Sequence, residues 1–165
     1  FWILLVFTAI NIVSHSFSYH SKKRKLFYYQ LYKPEELIIA KLLANFFKLF
    51  FAGVIILLLQ YLFSEEWFKD PKLFVSGYIL AVIGIVVILT LSSALASYAQ
   101  DQTSLVSVLA LPLLIPILLL SMRVSLIADR MMVDTAVNNY IFLLIGIDIL
   151  LVSLTIIFIP IIWKS

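Results

Sequence analysis

The chain has 165 residues, 64% of them hydrophobic and only 13% charged, with a formal net charge of +3 and a mean hydropathy of +1.12. That balance leaves too little polar surface for a water-soluble domain, and several apolar runs approach the roughly 20 residues that cross about 30 Å of hydrocarbon. Continuous runs exclude a barrel, whose strands alternate, and the lack of cysteine excludes disulfides and thiolate centres.

Residues 1–17 form the first span. The sequence opens at Phe1 inside an apolar run with neither an initiator Met nor a charged leader, so it reads as truncated, with at least one span upstream. Lys22, Lys23, Arg24 and Lys25 follow. Short loops rich in Lys and Arg stay in the cytoplasm, which makes this span run from outside to inside. His15 and His20 lie five apart, off a shared helical face, and carry no ligand role. The basic run marks membrane orientation or anionic lipid contact, not nucleic acid.

The second span starts at Pro34, suited to a first helical position, with Glu35 and Glu36 where the helix dipole favours acids. Extended to Ser64 it would be about 45 Å long at about 1.5 Å per residue, so its first turns stand outside the hydrocarbon. Lys48 then snorkels from about one turn inside. Residues 65–72 form an external connection, and the third span takes 73–99. Its Ser92 with Ala96 and Ser93 with Ser97 give small residues at four-residue spacing, suited to close helix packing.

After a tight turn at 100–104 the fourth span occupies 105–120. Pro112 and Pro116 deprive the carbonyls of Val108 and Pro112 of helical donors, and a kink or break is expected; simple shape and a moving or re-entrant element stay open. Residues 121–139 read as the longest external connection, with Val124, Ile127, Ala128 and Met131 on one face of a short interfacial helix. The last span is 140–163, leaving Lys164 inside. Asp148 lies near its middle, where an acid is costly. Coupling or substrate passage competes there with a protonated or locally hydrogen-bonded carboxyl.

The expected architecture is an all-α polytopic bundle in one membrane domain over 1–165, with five visible spans, becoming six with an upstream helix and both ends inside. No phosphate-binding loop, zinc-protease motif or nucleophile elbow is present, so no enzyme activity is expected of the chain. Between the basic run and Pro34, Phe27, Tyr28, Tyr29 and Tyr32 form an aromatic girdle. It reads either as a membrane anchor or as a protein docking surface.

The phrases FYYQLYKPEELIIAK, FWILLVFTAINIVSHSF, ALPLLIPILLL and FIPIIWKS, in that joint arrangement along the chain, resemble the haem exporter protein B family, the permease subunit of an ABC system for cytochrome c maturation. The resemblance implies a six-span ABC-2-type permease in the bacterial inner membrane, a separate cytoplasmic ATPase that hydrolyses ATP, further cytochrome c maturation subunits, and haem as the cargo candidate with no ligand in this chain. Residues 18–36 would be the cytoplasmic coupling loop. Its contact residues would be Tyr28, Tyr29, Gln30, Leu31, Tyr32, Pro34, Glu35 and Glu36, with Pro112, Pro116 and Asp148 as transport or conformational candidates. A homodimer is a candidate assembly; a permease for a lipid-linked glycan or drug, and a scaffold that transports nothing, are the alternative functions.

Overall fold

The structure, a computed structural model, describes residues 1–18, 34–64, 68–96, 102–130 and 137–164. These residues form five helices: α1 Trp2–Ser18, α2 Pro34–Ser64, α3 Pro71–Ala96, α4 Gln102–Ala128 and α5 Val137–Lys164. No strand occurs among them. Four of the five, α2 to α5, hold stretches long and apolar enough to cross a membrane; α1, with 17 residues, falls just short.

Helix α3 is the hub. It packs against each of the other four helices, most extensively against α4. Of its apolar span 78% is buried, against 17% for α2, 28% for α4 and 22% for α5. An all-round apolar helix such as α3 needs neighbours on every side, whereas the outer helices present Phe51, Leu62, Phe63, Phe142 and Ile149 outward, as lipid-facing helices do. Asp70 starts α3 by accepting a hydrogen bond from the Leu73 amide at 3.3 Å, and Pro71 fills the first helical position. The Asp70 amide donates to the Ala128 carbonyl at 2.9 Å, which ties the start of α3 to the end of α4.

Glycines set the closest approach. A Cβ at Gly77 would lie 2.7 Å from Val124 Cγ1, and one at Gly84 would meet Ile117, so α4 lies along a stripe of α3 from which side chains have been removed. Helix α2 seats differently, through Asn45, Leu49 and Gly53, spaced four apart. The Tyr78 hydroxyl lies over Gly53 and donates to the Phe50 carbonyl at 2.7 Å. At the end of the bundle where α1 begins, the Trp2 indole N–H donates to Ser125 Oγ at 3.0 Å, fastening α1 to α4.

Two expectations are corrected. Residues 121–128 are not an external connection or a separate interfacial helix, because α4 continues through them. Ser121 and Ser125 donate their hydroxyls to the carbonyls of Ile117 and Ser121 within the same helix, while Val124 and Ala128 are buried. The helix ends at Ala128, and Arg130 just beyond it has a φ of 55°, the left-handed conformation that closes helix ends. The second concerns the prolines: a break does not occur, since α4 is continuous through Pro112 and Pro116, with Ala110, Leu114 and Ile117 fully buried on its inner side.

Candidate functional site

The sequence candidates fall into three places. Pro34, Glu35 and Glu36 form the first turn of α2, ahead of the apolar stretch Ile39–Phe63. Tyr28, Tyr29, Gln30, Leu31 and Tyr32 lie outside the described residues, as do most of residues 18–36. At 31 residues, α2 is about 46 Å long at about 1.5 Å per residue, so a turn outside hydrocarbon is continuous with a full crossing.

Pro112 and Pro116 share one face of α4, and both are exposed, as is Val108. The carbonyls that lose their helical donors therefore lie on the side of α4 turned away from α3. The prolines and Asp148 are not brought together.

Asp148 points inward. It is 5% exposed, and an added Cβ on Gly84 would stand 2.5 Å from its Oδ1. The carboxyl thus occupies the space left by the missing side chain, where α3, α4 and α5 meet. Neither oxygen has a hydrogen-bond partner. Beside it a groove of about 330 Å³ opens between α3 and α5, walled by Leu80, Ile83, Ile145, Ile149, Val152 and Ser153. A carboxyl with no donor in an apolar wall is an expensive arrangement, and such residues in membrane helices mark functional positions.

The sequence does not single out several other buried polar groups of the bundle. Asn45 on α2 is fully buried with neither amide atom bonded, and the hydroxyls of Thr90 and Ser93 on α3 are likewise buried and unbonded. Asn45 lies on a helix packed against α3, and Thr90 and Ser93 lie on α3 itself. Each looks ordinary in a linear sequence, and only burial sets it apart. Lys48 is exposed on α2, about 14 Å beyond Ile39 along the helix at about 1.5 Å per residue. A second cavity, about 280 Å³, lies at the other end of the bundle, among Phe1, Trp2, Phe68, Phe74 and Asp129. The Phe68 and Phe74 rings stack there at 3.7 Å.

The bundle, the long second helix and the intramembrane acid agree with one family. Residues 2–161 match the family model described as CcmB protein. The chain belongs to the CcmB family. The match runs through all five helices, from the start of α1 to within the last turn of α5. No curated protein and no solved structure matches the chain. Membership in the CcmB family makes this a multi-pass membrane protein of haem export in c-type cytochrome biogenesis.

Proposed function

We propose that the chain is the permease subunit of an ABC transporter for haem delivery to c-type cytochromes, driven by ATP hydrolysis in a separate cytoplasmic subunit. The observation that carries this reading is the match to the CcmB family over residues 2–161. The basic run at Lys22 to Lys25 supports a cytoplasmic position for the loop before α2 and for the C-terminus, in a bacterial inner membrane. Haem is cargo in this reading, ATP belongs to the partner subunit, and no residue of the chain is assigned as a haem ligand. Other membrane subunits of cytochrome c maturation complete the assembly.

In the mechanism, the ATPase bears on residues 28–36, the last three of which are the first turn of α2. A helix transmits axial and tilting displacement because its backbone hydrogen bonds resist bending. Movement of Pro34, Glu35 and Glu36 therefore reaches Phe50 and Gly53, where Tyr78 fastens α2 to α3. From α3 it is passed to Gly84 and the Asp148 carboxyl that lies against it. Asp148 is thus a conformational residue at the far end of a mechanical path. Pro112 and Pro116 let α4 yield on its outer face while its inner face stays packed on α3.

The test is charge reversal at Glu35 and Glu36 combined with Tyr29→Ala in the full-length protein. Co-purification of the ATPase and its stimulation are expected to fall, and undiminished association and stimulation would defeat the coupling role. Cytochrome c content in a deletion strain tests the cargo assignment. Normal c-type cytochromes in that strain would reject it.

A further inference from the structure

Two opposite charges stand unpaired at one depth of the bundle. Lys48 is exposed on α2, within the apolar stretch Ile39–Phe63. Asp148 is buried beside the α3–α5 groove with both oxygens unbonded. Contacts between the helices give the register. Tyr78 donates to the Phe50 carbonyl, and Leu42 packs against Leu91 and Ala94, so α2 runs antiparallel to α3. Interpolating between these contacts sets Lys48 within about one turn of Gly84, the residue against which Asp148 lies.

Helices α3 and α5 are parallel. Both run opposite to α4, which pairs Gly77 with Val124 and Gly84 with Ile117, and which reaches Tyr140 from Arg123. Helix α2 also touches α5 directly. The two charges therefore lie on neighbouring antiparallel helices, level with one another, and no ion pair or hydrogen bond joins them. A buried carboxyl with no donor is costly, and a small helix shift that brought an ammonium to it would remove part of that cost.

We propose that Lys48 and Asp148 are a switchable intramolecular ion pair, separate in the arrangement described and joined when α2 shifts against α5. Joining them lays the lysine stem across the mouth of the groove and covers Leu80, Ile83 and Val152. Separation leaves the groove open. The pair rests on the helix register alone, and only its link to the ATPase rests on the function proposed above. Because α2 begins at the turn on which the ATPase would act, displacement of that turn sets whether the pair is made.

The chain contains no cysteine, which makes thiol cross-linking the direct test. Ala44→Cys and Val152→Cys place thiols one turn from Lys48 and Asp148 on the same faces, with both charges retained. The full-length protein is used with its partner subunits in native membranes, any cysteine outside these residues being replaced by serine. A short bifunctional thiosulfonate is expected to join the two positions within one chain. Adding Asp148→Asn should lower that yield by at least about fivefold, the lower end of ordinary conformational coupling. Adding Lys48→Gln, at an exposed position, should do the same even if the Asp148 variant assembles poorly, and the charge swap Lys48→Asp with Asp148→Lys should restore the yield.

No cross-link, a yield indifferent to both neutralising changes, or a cross-link between two copies of the chain would overturn the intramolecular pair. Adding ATP should change the yield severalfold. A yield that depends on both charges but not on ATP would reject the ATPase as the source of movement, with the pair upheld.

Discussion

Gly84 offers the sharpest check on the described packing, because two outcomes of one substitution oppose each other. Gly84→Ala gains about 0.8–1 kcal/mol of helix propensity, as any interior helical glycine would. It also inserts a methyl group 2.5 Å from Asp148 Oδ1 and into collision with the Ile117 Cδ1 methyl. Overpacking of this kind costs roughly 1–3 kcal/mol. The net expectation is a loss of up to about 2 kcal/mol. Gly146→Ala is the internal control, since a Cβ there meets nothing within 4 Å. It should gain the full propensity term, so the two variants should differ by the overpacking cost, about 1–3 kcal/mol. Reversible unfolding in mixed micelles, followed by tryptophan fluorescence, measures both. Combining Gly84→Ala with Asp148→Ala should recover part of the loss by removing one of the two obstructions. Equal stabilities for the two glycine variants would refute the close approach of Asp148 and Ile117 to α3.

Tyr78→Phe removes the hydroxyl bonded to the Phe50 carbonyl at 2.7 Å; the same unfolding assay should show a loss of roughly 0.5–1.5 kcal/mol, and amide exchange should rise in α2 more than in α4. Trp2→Phe and Ser125→Ala each break the 3.0 Å bond between α1 and α4; each should cost about 1 kcal/mol, and the double variant should cost less than their sum. Pro112→Ala and Pro116→Ala restore backbone donors to an already continuous helix, so circular dichroism should show undiminished helix and stability should be unchanged or higher by up to about 3 kcal/mol.

Where the sequence carried its own punctuation, the helices were legible. Pro34 with Glu35 and Glu36 gave the start of α2, and the acids after Ser64 its end, matching Pro34–Ser64. The end of α4 carried no such mark. Val124 and Ala128 repeat with helical period whether they face a lipid interface or another helix, and what decides is Gly77 on α3, distant in sequence. Asp148 was legible as an anomaly because an acid in a membrane helix is rare. Its seat was not, since the space it occupies exists through the absence of a side chain at Gly84. Pro112 and Pro116 could be recognised as weak points, while their outward facing required the position of α3. The docking girdle at Tyr28 to Tyr32 lies outside the described residues.

Differences in helix seating explain why α2 is the element suited to move. In lipid the apolar surface of a helix drives no association, so adhesion comes from close packing and hydrogen bonds. Helix α4 has the first of these along the Gly77 and Gly84 stripe of α3. Helix α2 meets the bundle along a narrower line, Asn45, Leu49 and Gly53, held by the Tyr78 hydroxyl. Within that line the Asn45 amide is fully buried with no bond to either atom, so this arrangement of α2 leaves unspent hydrogen-bonding capacity at its own seat. Lys48 leaves a charge unspent three residues further on. On the coupling proposed above, a helix whose seat leaves the Asn45 amide unbonded would respond to a push at its first turn by changing seats, with Tyr78 as the pivot.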